Sequence, residues 1–281
     1  MKSGFVVLIG RSNVGKSTLL NCLIGTKLSI TSPKPQTSRY LIQGVLHHSQ
    51  GQAVFVDTPG IFQGGHYKLT KKLTKIAKCA LANIDEILYV VDPSKLIGAE
   101  ENTIYNLLLT IDCPKILVIN KSDLNKKPYL ADYQNWQDNF KSVIEVSALK
   151  ENNIDLLIDT VFKYLPIGPA YYPDGQLTDL PIKSWLAELI REKIFLILRQ
   201  EVPYATTVKI EEITERKNKT IYIKAMIITS QPNHKQILIG RHGQQLNQIG
   251  QSARRELELI YNRSVYLDLE VKVDTHWVER F

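Results

Sequence analysis

Gly10-Arg11-Ser12-Asn13-Val14-Gly15-Lys16-Ser17-Thr18 follows the apolar run Phe5-Val6-Val7-Leu8-Ile9 and precedes Leu19-Leu20-Asn21-Cys22-Leu23-Ile24. The first apolar run reads as a buried strand and the stretch after the loop as a helix. Between them the spacing Gly-x-x-x-x-Gly-Lys-Ser is that of a phosphate-binding loop. Gly10 and Gly15 let the backbone curl so that successive N–H groups face inward, and the helix adds its positive N-terminal end. Lys16 then reaches the outer phosphates, and the Ser17 hydroxyl is offered to a magnesium ion.

The 281 residues suffice for two domains, and 44% hydrophobic and 22% charged residues describe an ordinary globular chain. No apolar run is long enough to span a membrane, and the first strand begins too early for a signal peptide, so a cytoplasmic protein is expected. Cys22, Cys79 and Cys113 are widely spaced among apolar neighbours and read as reduced core thiols. The net charge of +7 is unevenly placed: residues 1–84 hold eleven Lys or Arg against one acid, Asp57, while residues 85–170 hold eight against thirteen acids. A second acid-free stretch, 216–255, carries eight Lys or Arg and two His. Such a surface suits a polyanion.

Asp57 is explained by its place. Ala53-Val54-Phe55-Val56 reads as a strand ending in Asp57-Thr58-Pro59-Gly60, so the carboxylate lies opposite the phosphate loop, where it can hold the magnesium shell, and Gly60 can offer its N–H to the terminal phosphate. The polar segment 26–39 before it reads as a switch loop, followed by a strand over 40–46. Thr37 and Ser38 are both candidates for a hydroxyl on the magnesium. Ile61 stands where Ras-like enzymes use a glutamine to orient water, so hydrolysis here takes another route; Asn13 is the candidate ligand for a potassium ion supplying positive charge. A helix over 69–84 exposes Lys71, Lys72, Lys75 and Lys78.

After strands at 87–91 and 115–119 comes Asn120-Lys121-Ser122-Asp123. The Asp123 carboxylate can accept two parallel hydrogen bonds from guanine, which adenine does not offer, and sites of this kind discriminate by about 10⁴ to 10⁵. Lys121 lays its stem along the base, Asn120 ties this loop to the phosphate loop, and Ser147-Ala148, after a strand over 143–146, completes the pocket. A helix over 152–165 closes the domain.

Prolines and glycines break all periodicity over 166–181. Beyond them the order is helix (182–200), strands (207–213 and 220–229), helix (234–239), Gly240-Arg241-His242-Gly243, helix (244–261) and strand (265–273). Gly-x-x-Gly between two helices is the turn with which a KH module meets a nucleic-acid backbone, single-stranded bases lying in a groove beside it. Arg241 and His242 suit phosphate, and Lys235, Ile239, Arg254 and Arg255 flank them. His234 and His242 lack a third partner for a metal site.

Taken together, Gly10-x-x-Asn13-Val14-Gly15-Lys16-Ser17, Gln36-Thr37-Ser38-Arg39, Asp57-Thr58-Pro59-Gly60, Asn120-Lys121-Ser122-Asp123, Tyr171-Tyr172-Pro173 before Gln176-Leu177-Thr178-Asp179, and Ile239-Gly240-x-x-Gly243 resemble the Era family of bacterial GTPases over essentially the whole chain. The resemblance implies an α/β phosphate-loop GTPase domain with a mostly parallel sheet (1–168), a linker (169–181) and a smaller α+β type II KH domain (182–281). It implies hydrolysis of GTP to GDP with Mg2+, binding near the 3′ end of 16S ribosomal RNA, a role in maturation of the small (30S) subunit, and peripheral association with the inner membrane face. GTP contacts fall to residues 10–18, 57–61, 120–123, 147 and 148, with Lys16 and Gly60 catalytic. Ser12 and Ser38 depart from the family, which has proline and threonine there; the latter loses the methyl that restricts its rotamer. A constitutive RNA-binding module with an inert nucleotide domain, and a GTPase of transfer-RNA modification, are the readings this one displaces.

Overall fold

Residues 2–9 alternate little in character because the strand they form is covered on both sides, as a central parallel strand must be. The structure, a computed structural model, describes all residues except 33, 35, 36, 61–78, 82, 83, 199, 200, 280 and 281. Gln36, Ile61 and most of the expected helix 69–84 therefore lie outside the described residues. Two compact units separate, one of Met1–Thr31 with Pro35–Asp179 and one of Ser32–Lys34 with Leu180–Phe281.

In the first unit β1 (Lys2–Ile9), α1 (Lys16–Ile24), β2 (Ile42–His48), β3 (Gly51–Asp57), β4 (Glu86–Val91), α2 (Ala99–Leu109), β5 (Lys115–Ile119), α3 (Leu130–Gln134), β6 (Ser142–Glu145) and α4 (Ile154–Tyr164) follow in order. The six strands align as β2-β3-β1-β4-β5-β6. Only the β2–β3 pair is antiparallel. Leu19, Leu20, Leu23, Leu157, Val161 and Phe162 cover one face of this sheet, packing on Val6, Leu8, Leu88 and Val90. Ile104, Leu108 and Tyr133 cover the other, against Ile9, Ile87, Tyr89 and Val91. The parallel order places the C-terminal ends of β1, β3, β4 and β5 along one edge, where loops collect at the reversal between β1 and β4.

The strand expected over 40–46 is instead Ile42–His48, because its register is set by the partner: Ile42 pairs with Asp57 and His48 with Gly51. The segment 171–178 also lies against this edge. Val45 N–H donates to Leu177 O, Thr178 Oγ1 to Gln43 O and Tyr172 Oη to Gln43 Oε1. Buried Gln52 receives the N–H groups of Tyr171 and Tyr172 and donates to Tyr172 O at 2.8 Å. Cys22 and Cys113 are half-buried and pack at the margins of the two cores, whereas Cys79 is exposed, so the reading of core thiols is corrected for Cys79, whose apolar sequence neighbours do not bury it.

The second unit comprises α5 (Ile182–Ile197), β7 (Thr206–Glu215), β8 (Ile221–Thr229), α6 (Pro232–Ile239), a tight turn Arg241–Gly243, α7 (Gln244–Tyr261) and β9 (Val265–Val273). Strand β8 is central, antiparallel to β7 and parallel to β9. Leu186, Leu189, Ile190 and Ile194 of α5 and Ile249, Ala253 and Leu257 of α7 bury against Ile223, Ala225 and Ile227. β7 runs two residues beyond its expected end because a register shift between Ile210 and Glu212 lets it keep pairing to Ile221. This α-β-β-α-α-β order is that of a type II KH domain.

Candidate functional site

The loop after β1 is built around left-handed backbone. Asn13 has φ 60° and Gly15 φ 102°, and a Cβ on Gly15 would stand 2.3 Å from Asn120 Nδ2. Glycine at this position thus lets the phosphate loop touch the loop after β5. Lys16 opens α1 and is buried; its Nζ donates to the carbonyls of Gly10 and Arg11 at 2.9 and 2.8 Å. Burial lowers its pKa to about 8, against the opposing pull of Asp57 and Glu101. Ser12 and Thr18 are half-buried on either side, and the Arg11 guanidinium turns toward α2.

Ser17, Ser38 and Asp57 converge. Ser17 Oγ donates to Asp57 Oδ2 at 2.6 Å and lies 2.9 Å from Ser38 Oγ. Ser29 Oγ donates to the same Oδ2 at 2.9 Å. Burial raises the Asp57 pKa, while Lys16 and the three serine hydroxyls pull it down. Asp57 Oδ1 is buried with no hydrogen-bond partner among the described residues. An orphaned carboxylate oxygen beside two hydroxyls is a donor set that suits a hard cation such as magnesium. Of the two switch candidates the structure brings Ser38 to this cluster; Thr37 is buried one residue earlier. Thr58 Oγ1 donates to Leu8 O at 2.8 Å, which pins the end of β3 to β1 and sets buried Pro59 and Gly60 at the same edge.

The loops after β5 and β6 join this edge. Asn120 Nδ2 donates to Val14 O at 2.9 Å and its Oδ1 accepts from Ala148 N–H at 3.0 Å. Asp123 Oδ1 accepts from Ser147 Oγ at 2.5 Å, and Ser122 N–H bonds Val146 O. Lys121, in the left-handed region at φ 63°, donates to Asn13 O at 3.0 Å and to Asp92 Oδ2 at 2.6 Å. The residues that the sequence singles out for phosphate, cation and base thus lie together at one end of the sheet.

In the second unit Gly240 (φ 73°), His242 (φ 52°) and Gly243 (φ 74°) make the turn between α6 and α7. A Cβ on Gly240 would meet the Gln245 side chain at 2.6 Å, whereas one on Gly243 would meet nothing within 4 Å. Arg241 and His242 are exposed, Lys235 and Ile239 half-buried. From Gly243 a groove of about 340 Å³ runs between α7 and β9, lined by Leu246, Asn247, Gly250, Gln251, Arg254, Tyr266, Leu267 and Leu269. Arg254 lies in it; Arg255 is exposed on α7 but does not line it, being a further 100° round the helix.

Family models match both units: one described as 50S ribosome-binding GTPase over residues 5–121, one as KH domain over 201–278. The GTPase Era of Halothermothrix orenii is 44% identical over 281 residues, covering 99% of this chain and 95% of its own. That of a Thermoanaerobacter strain is 45% identical over 280, covering 98% and 92%. The chain belongs to the Era family of GTPases. Among solved structures, Era in complex with MgGDPNP and nucleotides 1506–1542 of 16S ribosomal RNA superposes with a TM-score of 0.92 at 40% identity, covering 100% of this chain and 96% of that one. An Aquifex aeolicus Era variant bound to GDP and tetrafluoroaluminate gives the same values.

Several residues of this Era-family fold are not marked by any motif. Ser29 sits in the polar segment 26–39 but carries no spacing signal. Asp92 and Glu101 are buried carboxylates in the stretch between the strands read at 87–91 and 115–119, to which the sequence assigns no motif. Gly250 was open to detection, since a glycine inside an otherwise helical stretch calls for a packing or functional reason. Here its missing side chain leaves the groove open beside Leu269, whose Cδ1 would be 3.3 Å from a Cβ. Among the described residues no helix is long and apolar enough to cross a membrane.

Proposed function

We propose that this Era-family GTPase binds GTP and GDP through residues 10–18, 57–61, 120–123, 147 and 148, with magnesium held by Ser17, Ser38 and Asp57. The observation carrying this reading is the unpartnered, buried Asp57 Oδ1 beside two hydroxyls at the mouth of the phosphate loop. A bound magnesium ion would neutralise charge developing on the transferred phosphoryl group. Lys16 would exchange its two loop carbonyls for phosphate oxygens, Gly60 would offer its N–H to the terminal phosphate, and Asp123 would read guanine. Asn13, held in the left-handed region, would add a potassium site. Equal single-turnover rates in sodium and potassium would remove that last element.

The KH turn and groove would take single-stranded RNA from the 3′ region of 16S ribosomal RNA, the RNA with which the solved Era is complexed through nucleotides 1506–1542. Exposed Arg241 and His242 supply phosphate contacts, and the groove offers apolar walls from Leu246, Leu267 and Leu269 with polar edges from Asn247, Gln251 and Arg254. On this reading the GTPase domain is 1–168, the linker 169–181 and the KH domain 182–281, and GTP-dependent RNA loading assists maturation of the 30S subunit. Family resemblance alone extends this to a cytoplasmic protein with peripheral membrane association, which cosedimentation with anionic vesicles tests.

The experiment is binding of a labelled RNA copying the 16S 3′ end, with a GTP analogue, GDP or no nucleotide, to wild type and Gly243→Asp. Space around Gly243 admits the side chain, and aspartate is among the residues that adopt a left-handed φ such as the 74° here at modest strain, but a carboxylate there repels the RNA backbone. Tighter binding with the analogue, lost in the variant, is expected. Binding by neither protein overturns the ribosomal RNA assignment.

A further inference from the structure

Two buried carboxylates stand beside the nucleotide loops without belonging to any nucleotide-binding motif, at either end of one short segment. Asp92, just past β4, receives the Lys121 ammonium at 2.6 Å and is itself held by Ser94, whose N–H and Oγ reach Oδ1 at 3.0 and 2.6 Å. Burial alone would raise its pKa, but the Lys121 and Ser94 bonds outweigh this and hold the carboxyl below its ordinary value. Glu101, in the first turn of α2, lies 3.2 Å from Arg11 Nη1 and accepts from Tyr89 Oη at 2.6 Å and Tyr133 Oη at 3.2 Å. Between the two acids, Leu96 O accepts from Arg11 at 2.9 Å. Segment 92–101 therefore grips the phosphate loop through Arg11 and the base-reading loop through Lys121.

Buried ion pairs often do no more than satisfy one another. These differ in what their basic partners do next. Lys121 also donates to Asn13 O, and the Arg11 carbonyl is one of the two that hold Lys16. We propose that Asp92 and Glu101 are positioning residues of the nucleotide site, acting through Lys121 and Arg11, and that segment 92–101 sets the rate at which guanine nucleotide is released. The proposal rests on guanine nucleotide binding between these loops. Release requires the base and phosphate loops to loosen their hold, and a brace that joins them opposes this; affinity differences of such origin appear in dissociation rather than association.

The test is displacement of a fluorescent GDP from the full chain, followed by stopped flow. Removing one partner of a charge-assisted hydrogen bond should speed release about 10- to 100-fold in Asp92→Asn and in Glu101→Gln, with association changed less. The decisive readout is coupling. In a Lys121→Met background Asp92→Asn should add nothing further, and in an Arg11→Met background Glu101→Gln should add nothing, because each acid acts through that base. Full additivity in both cycles, or release within about twofold of wild type in folded single variants, overturns the proposal. Ser94→Ala and Tyr133→Phe delete one hydroxyl each behind the acids, and keep the test valid if an acid variant does not fold. Each should speed release by about threefold, and unchanged release in both overturns the proposal as well. Wild type that binds no GDP would overturn the nucleotide assignment itself, an outcome distinct from bound GDP with indifferent variants.

Discussion

Glu86→Gln should stabilise the N-terminal unit, and increasingly so as pH rises. Glu86 opens β4 opposite Val6 of β1, on the side of the strand that carries Leu88 and Val90. It is buried, and among the described residues neither Oε1 nor Oε2 has a hydrogen-bond partner. Burial, with a smaller push from the neighbouring Asp85 carboxylate, raises its pKa from 4.5 to about 9. The folded protein thus keeps the proton up to about pH 9, while the unfolded chain gives it up above 4.5. The unfolded state binds fewer protons throughout that window, so stability falls as pH rises through it. At about pH 7.5 the accumulated cost is about 3 pH units at 1.36 kcal/mol each, or about 4 kcal/mol; at about pH 5.5 it is near 1.4 kcal/mol. Against a typical domain stability of about 5 to 15 kcal/mol the first figure is large. Glutamine has nearly the same shape and does not titrate. Its own burial cost is the same at every pH, so the slope of the difference isolates the carboxyl. Urea unfolding of wild type and variant at pH steps from about 5.5 to 8.5 should show the difference growing by about 1.4 kcal/mol per unit. Added GDP identifies the transition of the N-terminal unit by shifting it. Parallel pH profiles for the two proteins would refute the reasoning, because they would mean that Glu86 is ionised, and therefore paired, in the folded state.

Nucleotide binding carries a related pH dependence: Lys16 is lowered to about 8 by burial without phosphate, and phosphate charge favours its protonated form. GDP affinity should therefore fall as pH rises above about 8, with proton uptake measurable by calorimetry in buffers of different ionisation heat. Gly15→Ala places a Cβ 2.3 Å from Asn120 Nδ2 at a φ of 102° and should weaken GDP binding by at least about 100-fold, measured by fluorescence titration. Gly250→Val fills the groove beside Leu269; RNA affinity should drop by about tenfold with GDP affinity unchanged. Gln52→Ala removes three hydrogen bonds to Tyr171 and Tyr172, and should cost about 2 to 3 kcal/mol of stability and speed proteolysis within 171–178.

The elements whose form is decided by their own residues were legible. β5, α7 and β9 have the bounds their sequences indicate because each is a single run of one periodicity: continuous for the doubly covered β5, alternating for β9, helical for α7. Elements whose ends depend on a partner were not. β2 is placed by β3, and β7 is lengthened by a bulge that keeps it paired to β8. The 171–178 segment reads as an unstructured connection because Pro173 and Gly175 break any periodicity of its own. Its order comes from Gln43 and Gln52, more than a hundred residues away, and two glutamines in strands announce nothing of that kind.

The candidate site divides along the same line. A phosphate loop is a local backbone shape, so glycines at fixed spacing declare it, and the loops after β3 and β5 declare themselves because each must reach the ligand within a few residues of a strand end. What holds these loops to one another is made of single side chains with no spacing constraint. Asn120 was readable because it lies within the base-reading motif. Asp92, Glu101 and Ser29 were not, although all three are buried and each bonds a residue of a motif or its cluster. Charge offered one route toward them. Asp57 stands out as the sole acid in a basic region, and serine hydroxyls surround it. Asp92 and Glu101 lie where acids outnumber bases, so the same argument gave no contrast. Their retention against the cost of burial becomes visible only when the strand order brings the end of β4 and the start of α2 beside the phosphate loop, which makes topology, and not composition, the source of that part of the site.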